Sequence, residues 1–527
     1  MPGLLPSSRP PQSPLGNCHS RSLLIASCAL VLALHLPCRG DSEKSGSQPR
    51  LSAGAASVDI TPKPGVRLDG TISKPGPARG VHDHLYARAL VLDDGHTRLA
   101  IVICDACMIG RDVVDHARRL ISQRLTISPD HVLIAATHTH AAVRAIHVGT
   151  GPLDDDYHHD LALRIAEAVA RADTNLSPAK LAFASFEYPQ YLACRRTLCE
   201  PGSVGPNPFG ETGERVASVA VPARKPIRPA GPVDPQFSIL SVQHIDGRPL
   251  AVLGNFSVHY CGGYARGMVS ADYFGCYSRA LEEKLVAGDD HPPFVGMMSN
   301  GTSGNTGAIR SGGKRYPPFE WMKIAGRTLA EKTIRTIRPL QYRSDISLDA
   351  LETELALSVR KPSSERIEWA HHVLRKKSEN GRIRFPHPWT PVFAQETLHL
   401  SKYPDTVSLR LQAIRIGDAM IAAIPCEVFA ETGLAIKQAF GRNPVFTIEL
   451  ANGYGGYLPP PEQHELGGYE TWPARSSFLE KEAEPKIRQR ITQLFNRLRT
   501  RSTQLPLSKP GDGTQPSPPH QDIKNHP

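Results

Sequence analysis

Residues 131–140 read HVLIAATHTH. Val132–Ala136 is an unbroken apolar run, the pattern of a strand buried on both faces, and it leads directly into Thr-His-Thr-His. Side chains alternate along a strand, so its continuation would put His138 and His140 on one side and the two threonines on the other. Two imidazoles at the end of a buried strand can bind a metal or move protons; two exposed histidines at a strand end are the other reading.

Outward from this stretch, apolar strands alternate with helical periodicity. Residues 86–92 and 99–104 read as strands joined by a DDGH turn, and 111–125 as a helix. After the histidines come a helix at 157–172 and a Gly/Pro-rich loop over 201–235. Next are strands at 237–243 and 250–258, a helix at 277–286 and a strand at 294–298. Helices follow at 319–337 and 366–377. Strands at 406–416 and 419–424, a helix at 428–440 stopped by Gly441, a strand at 445–450 and a helix at 481–498 complete the pattern. The expected fold class is α/β, a mixed-sheet layered catalytic domain with its active site at strand ends, spanning 53–500. Residues 501–527 are Ser, Pro, Gly and Gln without pattern and are expected to be a disordered tail.

The 527 residues are 40% apolar and 21% charged, which fits a globular chain with a substantial core. The formal charge is +10, but the basic runs RKPIR (224–228) and RKK (375–377) are short, so the charge reads as solvated surface and no nucleic-acid partner is expected. Arg9 and Arg21 precede an apolar run at 23–36, LLIASCALVLALHL. This is shorter than the roughly 20 residues of a membrane span and has the form of a secretory h-region. Residues 1–40 are therefore expected to be a signal peptide and 41–52 a linker, with the protein secreted or periplasmic. Of ten cysteines, Cys18, Cys28 and Cys38 would leave with the signal. The odd number remaining rules out a pure disulfide scaffold, although Cys194 and Cys199 could close a small loop. Cys104 and Cys107 match C-x-x-C inside an apolar strand pattern and read as buried thiols.

Other strand ends repeat the theme of the first. LGNFSVH ends in His259, IAAIPCE in Glu427, and IELANGYGGY exposes Tyr454 and Tyr457 where glycines free the backbone. VGMMSNGTSGN runs into a Ser/Gly/Asn loop that could present Ser303 to a ligand, without the Lys of a P-loop. Two histidines and one carboxylate make a catalytic zinc set that leaves room for water. Glu427 could instead cap its helix, and Glu431 is by chemistry an equally good ligand. His82 and His84 around Asp83 read as structural, and the pairs at 158–159 and 371–372 as surface. Asp272 either orients a metal histidine or caps the helix that follows it.

With these motifs in order, the chain resembles the neutral/alkaline non-lysosomal ceramidases in their N-terminal catalytic domain. The resemblance runs from about residue 53 to 490 and rests on GVHDHLYARALVL, ATHTH, NFSVH, VSADYFG, NGTSGN, PCEVFAETG and NGYGGY…GGYE. It departs where AAVRAI follows ATHTH and where the serine loop lacks the family's acidic residue and proline, and the family's C-terminal β-sandwich is not expected. The resemblance implies a zinc amidase that cleaves the N-acyl bond of ceramide or a related N-acyl lipid by a zinc-activated water. It implies zinc ligands His138, His259, Glu427 and Tyr457, with Tyr457 preferred over Tyr454 because Tyr469 stands about twelve residues beyond it. His140 and Tyr469 would polarise the amide carbonyl, Arg195 would bind substrate, and Ser303 would fall on the active-site serine. Because a zinc-activated water makes a serine nucleophile unnecessary, Ser303 is expected to hydrogen-bond a substrate hydroxyl. Partners expected are a small-molecule or lipid substrate and contact with a membrane surface, with no obligate protein partner. The alternatives are a zinc amidase or esterase on a small soluble substrate and a non-catalytic secreted binding protein.

Overall fold

The structure is a computed structural model that describes residues 51–68, 76–143, 145–146, 155–218, 221–286, 294–308, 315–376, 384–441 and 443–504. The expected signal peptide, nearly all of the expected linker and the chain beyond 504 lie outside the described residues. An eight-stranded sheet has the order Val295–Asn300, Pro249–Phe256, Gln236–His244, Ser177–Glu187, Ser52–Asp59, Tyr86–Asp93, Arg98–Cys104, Val132–Ala136. Its middle is antiparallel, but the outermost pair at each edge is parallel. The sheet curls so that the two edge strands, Val295–Asn300 and Val132–Ala136, touch each other. A second sheet of four strands, Leu348–Ser358, Thr406–Ile416, Ala419–Ile424 and Val445–Glu449, repeats the device with a parallel pair at one edge.

The alternation of side chains explains why these strands read as continuous apolar runs. In Arg98–Cys104, Leu99, Ile101 and Ile103 face the second sheet, while Ala100, Val102 and Cys104 face helices. Both faces are dry, so no polar position is left to mark the alternation. Leu348, Ile414, Ile421 and Ile448 of the second sheet enter the core between the sheets. Each such side chain contributes about 1.5–3 kcal/mol when fully buried. Helices Arg111–Arg124 and Asp155–Thr174 cover one half of the large sheet, and Asp272–Leu285 and Glu320–Ile337 cover the other. Ala430–Ala439 and Ala483–Gln504 cover the outer face of the second sheet. The result is four layers, helix, sheet, sheet, helix, and the α/β mixed-sheet class is borne out.

The architecture bears on the site through the three parallel pairs of the two large sheets. Parallel neighbours end at the same edge, so their exits are delivered together in twos. Cys104 and Ala136, Phe256 and Asn300, and Ile424 and Glu449 end these pairs, and every sequence-predicted metal-binding residue lies within about one loop of such an end. Several elements differ from their sequence reading. Ser177–Glu187 and Leu348–Ser358 are full strands, Thr390–Ser401 is a helix, and the loop 201–235 contains short strands Val216–Ala217 and Pro226–Pro229. The last helix continues to Gln504, past the expected start of the tail. All seven described cysteines are free thiols, including Cys194 and Cys199, and Cys104 and Cys107 are buried.

Candidate active site

His138 does not continue its strand. The strand stops at Ala136, whose N–H turns to the Leu450 carbonyl at 3.2 Å, and His138 takes a left-handed backbone with φ 71°. Its N–H donates to the Ala106 carbonyl at 2.9 Å and its Nδ1 to the Cys107 carbonyl at 2.8 Å. His138 and His140 converge, with Nε2 atoms 3.1 Å apart, because of this kink and not because of strand alternation. A non-glycine residue held there stores about 1–3 kcal/mol of strain. His140 stacks its ring on Tyr260 at 3.8 Å.

His259 follows Pro249–Phe256 and places Nε2 3.0 Å from Nε2 of His138. Its Nδ1 faces the Ser303 carbonyl at 3.2 Å. Both histidines thus spend Nδ1–H on a carbonyl, which leaves a bare Nε2 lone pair on each. Glu427 lies in a short strand, Glu427–Val428, paired in parallel with Tyr457–Leu458 so that Glu427 stands opposite Tyr457. Its Oε2 is 3.5 Å from His138 Nε2 and 3.7 Å from His259 Nε2 and has no hydrogen-bond partner, whereas Oε1 accepts from Tyr454 Oη at 2.8 Å. Glu427 and His138 are each 2% exposed and His259 1%.

This donor set fits a metal ion. Two imidazole lone pairs and an unpartnered carboxylate oxygen meet in a dry site, where a buried charge without a counter-charge costs several kcal/mol. Burial pushes His140 and His259 well below the usual histidine range, and charge interactions, with His138 first for His140 and with Arg195 first for His259, push the same way. Neutral imidazoles are the ligand form. Cys107, His138 and His140 form a second group within metal-binding reach. The Cys107 thiol lies 3.9 Å from His138 Nδ1, the nitrogen already bonded to a carbonyl, so His138, His259 and Glu427 are the better donor set.

A second layer of charge surrounds the cluster. Arg195 donates Nε to Glu470 at 3.0 Å and an Nη to Tyr457 Oη at 3.0 Å and to the Gly304 carbonyl at 2.9 Å. Arg196, fully buried, holds the other oxygen of Glu470 at 2.8 Å. Burial would lower the Arg195 guanidinium, but Tyr457, Glu470 and Glu427 outweigh it and keep it charged. The phenols of Tyr457 and Tyr469 are raised above the usual range by burial first, with the Glu427 charge raising both further and Arg195 opposing it. The Tyr469 ring packs edge-on to Tyr457, Trp389 and Trp472.

Ser303 is completely buried on the Nδ1 side of His259, with Oγ 3.4 Å from that nitrogen, and its hydroxyl donates to Glu449. Glu449 is the functional neighbour that sequence reasoning missed. Its signal was a carboxylate closing an apolar strand, overshadowed by the glycines and tyrosines that follow. Glu431 is bound by Asn305 at 2.8 Å and Gln463 at 2.9 Å, away from the histidines, which leaves Glu427 as the carboxylate of the cluster. Asp272 touches no histidine; it accepts from the backbone of Cys261 and Gly262 and from Tyr264, and so ties down the loop after His259. Asp83 is structural as expected, pairing with Arg279 and accepting from Ser270 Oγ at 2.7 Å.

Comparison with known proteins bears on the family and the fold. Residues 51–314 match the family described as neutral/alkaline non-lysosomal ceramidase, N-terminal. The chain is 23% identical over 299 residues to neutral ceramidase B of Dictyostelium discoideum, a match that covers 54% of this chain and 39% of that protein. The matched stretch is thus well under half the length of that relative. The crystal structure of neutral ceramidase from Pseudomonas aeruginosa superposes with a TM-score of 0.65 at 19% identity, covering 86% of this chain and 75% of that one. A structure described as ceramidase complexed with C2 gives 0.64 at 17% identity, covering 89% and 78%. At such identities the likeness is one of fold.

Proposed function

The chain belongs to the neutral/alkaline non-lysosomal ceramidase family, and from that premise we propose that it hydrolyses the N-acyl amide bond of ceramide or a related N-acyl lipid, with zinc held by His138, His259, Glu427 and Tyr457. The observation that carries this reading is the meeting of two bare imidazole nitrogens and the unpartnered Glu427 Oε2 within 3.7 Å in a buried site. When bound there, zinc supplies an activated water at neutral pH and a Lewis acid for the amide oxygen.

The protein's own groups divide the remaining work. Carbonyl cysteine and serine oxygens at 107 and 303 hold the histidines with Nε2 inward. Glu427, anchored by the Tyr454 phenol, keeps a negative oxygen on the cluster. Arg195 donates to the Tyr457 oxygen and opposes the burial that raises its phenol. His140 and Tyr469 stand as donors to the amide oxygen as it gains charge, which is where preorganised donors lower a barrier most. Hydrolysis joins the water oxygen to the acyl carbon, breaks the C–N bond and returns a proton to the departing amine. The aromatic surround of Tyr469 suits an apolar substrate and excludes water. Export rests on the apolar run at 23–36, and fractionation of expressing cells would locate the mature protein.

The test is metal analysis coupled to hydrolysis of a panel of ceramides and simple N-acyl amides. Purified protein is expected to hold about one zinc per chain, the ratio set by a single four-ligand site. Chelation should abolish turnover and zinc restore it. Full activity in a metal-free preparation would overturn the reading.

A further inference from the structure

Glu449 closes the strand Val445–Glu449 and is completely buried. Its carboxylate receives three donors. Val428 N–H reaches Oε2 at 2.7 Å, Ser303 N–H reaches Oε2 at 3.2 Å, and the Ser303 hydroxyl gives its proton to Oε1. Each donor belongs to a segment that carries or contacts one of the metal-binding residues. Val428 is the residue after Glu427. Ser303 presents its carbonyl to His259 Nδ1 at 3.2 Å, and its Oγ lies 3.4 Å from the same nitrogen. The two segments are also joined directly, Gly304 N–H to the Val428 carbonyl at 2.8 Å. A Cβ at Gly304 would fall 2.4 Å from the Glu427 carbonyl, so the loop cannot move closer or carry a side chain there.

Resting on the metal-hydrolase reading above, we propose that Glu449 is a positioning residue that sets the affinity and geometry of the metal centre, with Ser303 as the relay between its carboxylate and His259. The Ser303 hydroxyl has one proton and spends it on Glu449, so toward His259 it offers lone pairs only. The Nδ1–H of His259 then faces two oxygens of one residue, and the tautomer with Nε2 bare is held. The Val428 bond fixes the backbone from which Glu427 reaches the same point. Three hydrogen bonds that converge on one buried carboxyl hold both segments to one geometry. Ser303 in this role is neither nucleophile nor substrate contact.

The experiment uses the full mature chain. Zinc affinity is measured by chelator competition for wild type, Glu449→Gln, Ser303→Ala and the double variant. The visible spectrum of each Co2+-loaded protein reports ligand geometry, and thermal unfolding of each metal-free protein monitors the fold separately. Glu449→Gln should weaken zinc by roughly 10–100-fold, the usual effect of losing a partner that orients a metal ligand, and shift the Co2+ bands. Ser303→Ala should shift both in the same direction, and the double variant should lose little beyond Glu449→Gln, since the two act as one unit. Should Glu449→Gln fail to fold, Ser303→Ala decides: an unchanged zinc affinity and Co2+ spectrum overturns the proposal. Losses that simply add in the double variant, or an acyl group trapped on Ser303, overturn it as well. A wild type that takes up neither ion removes the functional reading and this inference together; a wild type that binds while both variants bind equally removes this inference alone.

Discussion

At the scale of single residues, the site separates groups that meet substrate from groups that hold other groups. In the proposed mechanism, Tyr469 belongs to the first kind. Tyr469→Phe keeps its ring contacts with Tyr457, Trp389 and Trp472. It should retain zinc while turnover falls by about 100-fold or more, the scale of one oxyanion donor; equal turnover would remove Tyr469 from the chemistry. Glu470 belongs to the second kind, shared between two buried guanidiniums. Burial pushes its carboxyl up, but Arg195 and Arg196 pull it further down, so the net shift is below the ordinary value of 4.5. A depressed folded value stabilises the fold above the unfolded value and ceases to as pH falls through the folded one. Glu470→Gln should therefore cost about 3–5 kcal/mol at pH 7, since it leaves a buried charge uncompensated. Denaturant titrations should show the gap from wild type closing progressively below pH 4.5; a gap of constant size would contradict the assignment. His138, His259 and Glu427 could be singled out in the sequence because each closely follows an apolar strand, while the choice of His138 over His140 and of Glu427 over Glu431 came from the family resemblance. Glu449 was not, since a carboxylate at a strand end ordinarily points to water, and only its three donors reveal that it points inward.

At the scale of elements, two strands match the sequence reading to the residue. Ala419–Ile424 is an apolar run between Asp418 and Pro425, and Thr406–Ile416 alternates apolar and polar residues up to Gly417. Leu348–Ser358, LDALETELALS, has the composition of a helix and becomes a strand only by pairing along its whole length with Thr406–Ile416. Ser177–Glu187 is rich in alanine and half exposed, which hides its alternation. Thr390–Ser401 has Pro391 as its second residue, easily read as a breaker although proline is at home in a first turn. Asn300, the last residue of its strand, joins two of these exits. Its Nδ2 donates to the Thr137 carbonyl at 3.3 Å and the His259 carbonyl at 3.2 Å, so it bridges the loops of both histidines. Asn300→Ala should destabilise by about 1–3 kcal/mol by leaving buried carbonyls unpaired. Asn300→Asp, nearly the same shape, should be worse at neutral pH because it turns acceptors toward those carbonyls. Urea unfolding of both variants checks the order, and an Asp variant as stable as wild type would show that the bridge carries no load.

At the scale of the whole molecule, layer class was readable from the alternation of elements, but the meeting of sheet edges was not. No local pattern tells that Val295–Asn300 and Val132–Ala136, at opposite ends of one sheet, touch. That contact brings His138 and His259 together, and the second sheet then adds Glu427 from a different layer. The stretch that carries the family likeness, 51–314, contains both histidines and Ser303 but neither Glu427 nor Tyr457. Cut there, the chain would keep every strand of the large sheet and lose the sheet that covers its inner face. Leu99, Ile101, Leu133 and Leu253 would lie open to water, a patch that invites aggregation. Expressed alone, 51–314 should be insoluble or hold no stoichiometric zinc, and a soluble fragment with one tightly held ion would refute this. The length of chain by which kinship is recognised is thus shorter than the length that can work: a gene split or fusion near residue 314 would pass on the family's signature while dividing the donor atoms between two products.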